Sequence, residues 1–446
     1  MNRTSKACTC LSIALALVTF ALGMPAARAS DGAAASHPAE GPLSLEQCLL
    51  IALERSPQLV SSRQDVVGAG ASLTRARSPY YPQLSLVAEE RIGSGGFGTG
   101  EAEDTERTER LEVAASQTLW ERGLKERVDE SEARLAAAEW GYASAVQSLL
   151  EQVASDYYGV LAADRLVEVQ EAGVDSAGRH LREVQARIEV GVSAEVDEFT
   201  AQDDLARAEL ALVDARRNAR VARARLKTTM GVSPTRTFEL VEPPAPAAPA
   251  LPTLQEALTT AEQNRPDVLR ATAAVAAAGS ALAQAQIRRG PVTGISATYD
   301  WGYDDWERRD PSWDAALRLS WPLLDGHATE ADVRASQAAL NRSQAQLQGV
   351  LNETGFEIES VLAEVQRSKE RVRATAASVA AARARLRATE GRYQQGVAIL
   401  LEVTDARAAL TDALASEVEA QYDYRTALVA LERALGTLSP PDAPAR

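Results

Sequence analysis

The residues with chemistry to offer are few and scattered. His37, His180 and His327 stand far apart, with no cysteine or acid beside them at metal-ligand spacing. Cys48 is left alone once Cys8 and Cys10 are set aside near the start, so no disulfide framework is expected. The run GSGGFGTG, Gly93–Gly100, lacks the Lys-Ser/Thr of a phosphate loop and the strand–helix setting such a loop needs; it reads as a plain loop. No nucleophile–base–orienter set emerges. The pattern predicts no enzyme, no metal and no cofactor. The acids that stand out are in YQQGVAILLEVTDAR, Tyr393–Arg407, where Glu402 and Asp405 follow Gly396. Three residues apart on a helix, they share one face. The plainer alternative is a solvated helix start, where acids favour the positive end of the helix by a few tenths of a kcal/mol.

That stretch has a copy. RIEVGVSAEVDEFTAQDDL, Arg187–Leu205, resembles RYQQGVAILLEVTDARAAL, Arg392–Leu410, so that Gly191 matches Gly396, Val192 matches Val397 and Asp197 matches Glu402. LSLEQCLLIALERSPQL, Leu43–Leu59, resembles PTLQEALTTAEQNRPDV, Pro252–Val268. RLKTTMG closes one copy at Gly231 and ALERALG the other at Gly436. Several pairs in the same order, about 205 residues apart, mark an internal repeat.

Each repeat orders the same elements. It opens on a capped helix, with Ser44 before Gln47 and Thr253 before Glu256. Pro57 and Pro266 then mark a break or kink. The period next changes to two. In SWDAALRLSW, Trp313, Ala315, Leu317, Leu319 and Trp321 share a face; in VTGISATYDWGY, Ile295, Ala297, Tyr299, Trp301 and Tyr303 do. QLSLVAEERI and ERLEVAASQTLW repeat this more weakly in the first half. The loops GSGGFGTGEAEDTERTE and DDWERRDP join each pair of strands. Strands of about 9–11 residues with an apolar face and aromatic ends fit an outer-membrane barrel, or else a soluble sheet with one wet face. Four strands cannot close a barrel, so membrane strands would have to be shared among copies. Gly123 to Gly191 and Gly326 to Gly396 then read as helices of about 65–70 residues, about 100 Å long. Helices of about 35–40 residues return to Gly231 and Gly436, with alanine allowing close, coiled-coil-like seams.

The ends of the chain and its charge narrow the class. Arg3 and Lys6, the apolar run Leu11–Leu22 and Ala27-Arg28-Ala29 predict a signal peptide over 1–29. Its removal takes three bases and no acid, moving the formal net charge from −15 to −18, which argues against nucleic acid as a partner. No small-residue–Cys box follows the run, so no lipid anchor is expected there. No other apolar run approaches the roughly 20 residues of a membrane helix. The expected organisation is an N-terminal extension 30–43, repeat 1 over 44–241 (strands near 82–95 and 108–120), a Pro/Ala linker 242–252, repeat 2 over 253–436 (strands near 292–303 and 312–323) and a tail 437–446.

This order of elements, the paired motifs RIEVGVSAEVDEFTAQ and RYQQGVAILLEVTDAR, and the junctions QTLWERG and SWPLLDG resemble the TolC family of outer-membrane efflux and secretion channels. The resemblance covers nearly the whole chain after residue 29. It implies a mainly α fold with membrane β: a homotrimer with a 12-stranded β-barrel, a long α-helical barrel in the periplasm, and an equatorial belt from linker and tail. It implies a passive exit duct of a tripartite efflux or type I secretion system, docked on a periplasmic adaptor (membrane fusion) protein and an inner-membrane pump or exporter. Outer-membrane lipid would surround the strands.

Glu402, Asp405 and Asp197 would then ring a closed aperture at the helix tips, three-fold symmetry stacking carboxylates that hold cations. Gly191, Val192, Ser193, Gly396, Val397 and Ala398 would form the turns and the adaptor contact. The family's best-known members carry a basic residue where Ala398 stands; Arg187 and Arg392, each four residues before a turn glycine, are the candidate latch instead. Tyr299, Trp301, Trp313 and Trp321 would be an interfacial girdle, or else ordinary sheet aromatics. Phe97, Trp306 and Arg308 would face outward from the strand loops. The rival reading is a soluble periplasmic coiled-coil adaptor or scaffold, which leaves the aromatic-ended hairpins and the duplication unexplained.

Overall fold

The computed structural model describes residues 41–94, 105–191, 194–244, 251–304 and 307–441. The expected signal segment with Cys8 and Cys10, His37, Phe97, Trp306 and the middle of the Pro/Ala linker lie outside the described residues.

Two capped helices open the two halves. In α1, Leu45–Arg55, the Ser44 hydroxyl accepts from the Gln47 amide at 3.3 Å while the Gln47 side chain accepts from the Ser44 amide at 3.0 Å. The equivalent helix in the second half, α5, Leu254–Asn264, repeats this reciprocal cap with Thr253 and Glu256. Pro57 and Pro266 do not kink these helices. Each is the first residue of the next one, where its missing amide costs nothing: α2, Pro57–Arg77, and α6, Pro266–Ile287.

One antiparallel sheet joins the halves, in the order β1 (Gln83–Ser94), β2 (Thr105–Glu121), β3 (Val292–Asp304), β4 (Glu307–Ser320). Register sets Leu86, Val113, Tyr299 and Trp313 in one row across all four strands. Period two then gives this face to apolar residues and the other to Glu112, Arg110, Thr298 and Asp300. Among the described residues, no strand pairs with the outer edges of β1 and β4. β4 begins earlier than expected: the loop DDWERRDP yields Glu307–Pro311 to the strand. Pro311 is tolerated because the β3–β4 register slips between Asp300 and Gly302, so a residue with no amide donor sits at a bulge.

The long helices are α3, Leu124–Glu189, and α7, Ala328–Gln394, of 66 and 67 residues. At 1.5 Å per residue each spans about 100 Å. The returning helices α4, Glu195–Thr229, and α8, Leu400–Ala434, have 35 residues each. They reach only part of the way, about 52 Å, and α2 and α6 complete the distance. α4 meets the α1–α2 joint, where a Cβ on Gly231 would lie 2.8 Å from the Arg55 carbonyl oxygen. α8 meets the α5–α6 joint, where a Cβ on Gly436 would lie 2.7 Å from the Arg265 amide. Both glycines have positive φ, 66° and 73°, and close their helices with paired 6→1 and 5→2 hydrogen bonds. The chain is thus four columns: α4 with α2, α3, α8 with α6, and α7. α3 touches α4, α2, α6 and α8, and α7 touches α8 and α6.

The best-buried core lies at these joints. Tyr157 and Val153 of α3 are fully buried with Leu43, Cys48, Leu226 and Met230. The Tyr157 hydroxyl donates to the carbonyls of Val241 and, at 3.2 Å, Leu43. Leu43 bridges the strand-like Leu240 in parallel. The chain then crosses α3 and α8, with Glu242 taking hydrogen bonds from Arg165 and Tyr422. α6 corrects one expectation: it is long and apolar enough to cross a membrane, at 22 residues and mean hydropathy 1.2. Its apolarity is mostly alanine, and it lies against α3 and α7.

Candidate functional site

The two helical hairpins turn on glycines at the end far from the sheet. Gly396 has φ +71°, and its amide donates to the Tyr393 carbonyl at 3.0 Å while that of Val397 donates to Arg392 at 2.9 Å. This pattern closes a helix on a left-handed residue, which glycine adopts without strain. Gly191, φ +74°, donates to Ile188 at 2.9 Å. Val192 and Ser193 lie outside the described residues.

A small core locks the tips together: Val184 of α3, Ala201 of α4, Tyr393 of α7, and Ala398, Leu400 and Val403 at the start of α8. Ala398, one of the residues expected at the adaptor contact, is buried in this core. Val397 and Ile399 beside it are 64% and 63% exposed, and Gly191 and Gly396 are exposed as well. A long basic side chain at Ala398 would have to displace this packing.

The two candidate latch residues act within the chain. Arg392 pairs with Glu402 at 3.3 Å, and Arg187 lies 4.5 Å over the Tyr393 ring while pairing with Glu183 at 3.0 Å. Arg187 thereby ties α3 to α7 by a cation–π contact. The three acids are therefore not equivalent. Glu402 is held by Arg392. The Asp197 carboxylate turns back to the Ala194 amide at 3.3 Å, satisfying a helix-start donor. Asp405 is exposed and has no hydrogen-bond or ion-pair partner among the described residues.

Two further residues were not singled out from sequence. His180 of α3 is 2% exposed, and neither ring nitrogen has a hydrogen-bond partner. Burial, with Arg407 nearby, pushes its imidazole down to about 4. Arg407 of α8 reaches across to the Ser176 carbonyl at 3.2 Å and to Glu390 at 2.9 Å. His180 stands one turn before Val184 on the same line of the helix, which hints at burial but not at what lies across from it; Arg407 looks like any exposed base.

At the sheet, the rings of Tyr299 and Trp301 meet at a 54° tilt with centroids 5.5 Å apart, Trp313 stands opposite Tyr299, and Trp321 donates to the Arg289 carbonyl at 3.0 Å. Trp313 and Trp321 are eight residues apart, about 26 Å along a strand, with Ala315, Leu317 and Leu319 between them on that face. The opposite face carries Arg110 paired with Asp300 at 2.6 Å and Glu112 at 2.8 Å. Arg308, expected in the strand loop, is exposed at the start of β4 opposite Tyr303. Among the described residues, no group of three or more His, Cys, Asp or Glu could hold a metal.

A family model described as outer membrane efflux protein matches residues 49–232 and 257–437. The outer membrane protein TolC of Vibrio cholerae is 26% identical over 409 residues, covering 88% of this chain and 90% of that one. Among solved structures, CusC aligns with a TM-score of 0.77 at 18% identity, over 88% of this chain and 92% of that chain. The outer membrane protein VceC from Vibrio cholerae aligns with a TM-score of 0.74 at 20% identity, over 88% and 96%.

Proposed function

Because the chain belongs to the outer membrane efflux protein family, whose members are outer-membrane exit channels for efflux or secretion, we propose that three copies close one passive duct gated at the hairpin tips. The open sheet carries the reading. Four strands with two free edges and one apolar face bounded by aromatics cannot close alone, and twelve can. The apolar face meets lipid and the Arg110–Asp300 face lines the bore. Four columns per chain give twelve around a periplasmic tube. The segment from Leu240 to Pro243 forms part of a belt at the column joints. The tips engage a periplasmic adaptor through Val397 and its neighbours, with an inner-membrane pump or exporter supplying the cargo. A soluble scaffold would leave Leu317, Trp313 and Leu84, each more than 70% exposed, facing water.

Three-fold symmetry stacks Glu402 and Asp405 at the mouth. Asp405, unpaired, supplies the cation-binding ring; Glu402, tied to Arg392, is the latch. Single channels in planar bilayers test this. Asp405→Ala should weaken block by divalent cations at least several-fold and lower cation selectivity. Glu402→Ala should instead raise the open fraction. Unchanged block and selectivity in Asp405→Ala would sink the ring.

A further inference from the structure

The polar face of the sheet holds a groove of about 210 Å³ at the end where the strands meet the columns. Register builds it. Gln83, Ser116, Ser296 and Ala316 form one row across the four strands, and Thr118, Gly294 and Arg318 form the next. Both rows lie on the face of Arg110 and Asp300, because opposite residues share a face and alternate residues along a strand return to it. Gly294 has no side chain. Arg318 on β4 therefore faces Thr118 on β2 across two strand spacings, about 10 Å, with no side chain between them.

The groove gathers donors that the fold leaves unspent. Arg318 is exposed and has no hydrogen-bond or ion-pair partner among the described residues, and neither have the hydroxyls of Ser116, Thr118 and Ser296. Other arginines of this face are held: Arg91 by Glu89 at 2.9 Å, and Arg110 by Asp300 at 2.6 Å and Glu112 at 2.8 Å. No acid lines the groove. Of the acids nearby on the same face, Glu121 is tied to Arg127, and Asp314 stands four residues back along β4, about 13 Å away. An unpaired guanidinium beside three unspent hydroxyls, with no carboxylate in reach, suits an oxyanion. The planar fork binds two oxygens of a phosphate or carboxylate at once, and each hydroxyl adds a donor.

We propose that this groove is an oxyanion subsite on the bore wall, anchored by Arg318 with Ser116, Thr118 and Ser296 as further donors, and that the duct favours solutes carrying a phosphate or carboxylate there. The proposal rests on the reading above that the polar face lines the bore. Three copies repeat the site around one circle, as rings of arginine do in anion-selective pores. The circle lies the length of a long helix, about 100 Å, from the acids at the tips, so the two ends sort by charge independently. Inorganic phosphate is the probe. Added to the full-length protein in a neutral detergent, its phosphorus NMR line should broaden saturably. Acetate should compete, and chloride at equal ionic strength should not. Arg318→Gln should weaken binding about tenfold or more, and Ser116→Ala/Thr118→Val several-fold. Arg308→Gln, at the other end of the same strand, should bind as the native protein does. Each variant should still fractionate with the outer membrane, which separates a lost site from a lost fold. Phosphate that fails to bind the native protein, or binds Arg318→Gln equally well, overturns the subsite and leaves the duct standing. Equal competition by chloride reduces the effect to charge screening and also overturns it. Native protein that opens no channels in planar bilayers overturns the duct reading, whatever it binds.

Discussion

His180 is an imidazole with nothing to bond, sealed between α3 and the partners Tyr393 and Arg407. Arg187 and Glu183 face it from its own helix, Glu390 from α7 and Arg407 from α8. In the unfolded hairpin it gains a proton as pH falls through about 6.5; in the folded one it does so only near about 4. The unfolded state binds more protons across that window, so tip stability is full above it and falls as the pH drops, by at most about 3 kcal/mol. Denaturant midpoints should therefore fall more from pH 7 to 4 in the native protein than in His180→Phe. Equal slopes would remove His180 from the account. Sequence could not show this. A histidine in an alanine-rich helix is silent about what lies across the seam, and the partners come from residues more than 200 positions away. The burial of Ala398 is silent for the same reason: its neighbours Val397 and Ile399 are exposed, and it shares a core with residues of α3, α4 and α7.

Helices, turns and strands were the legible level, because each repeats a local period and ends on a local signal. Gly191, Gly231, Gly396 and Gly436 each mark a helix end in both sequence and structure. The strands were legible by alternation, and Pro311 is the exception: placed at the end of the loop DDWERRDP, it sits in β4 because a bulge formed by pairing with β3 spares its missing amide. Two element-level outcomes follow. Gly436→Ala adds a left-handed strain of about 1–2 kcal/mol and a clash with the Asn264–Arg265 backbone, so the loss in thermal stability should exceed that of Gly396→Ala, where the added carbon meets open space. Leu317→Arg, on the apolar face of β4, should cost about 2–4 kcal/mol near mid-membrane and shift the protein out of the outer-membrane fraction. Arg318→Leu, on the other face, should leave fractionation unchanged.

At the scale of the molecule, the sequence carried the duplication and the division between sheet and columns, but not how the halves meet. The β2–β3 pairing and the Arg110–Asp300 contact join residues 190 positions apart, and no local pattern encodes such a register. The joint core offers a whole-molecule probe. Cys48 is fully buried there, and burial pushes its thiol up to about 12. Thiol labelling should be negligible in the assembled protein at pH 8 and become complete only as the columns separate, in step with loss of helical signal. Labelling that precedes that loss would show the joint opening on its own.

Those joints also have a mechanical meaning. Two of each chain's four columns are single beams, α3 and α7, and two are spliced, α4 to α2 and α8 to α6. Around a closed tube, unbroken and spliced staves would alternate. Gln147 reaches the Gly436 carbonyl and Asp156 reaches Thr229, so the two splices fall within about 14 Å of each other along α3. A cask whose staves are cut at one height is held there by its hoop, and the Leu43–Leu240 bridge and the Glu242 crossing run across the cut. In such a tube bending stiffness would be lowest at the splices and tensile support greatest at the hoop. A push on the tips would thus flex the lower tube about that ring while the unbroken staves carry the load to the membrane.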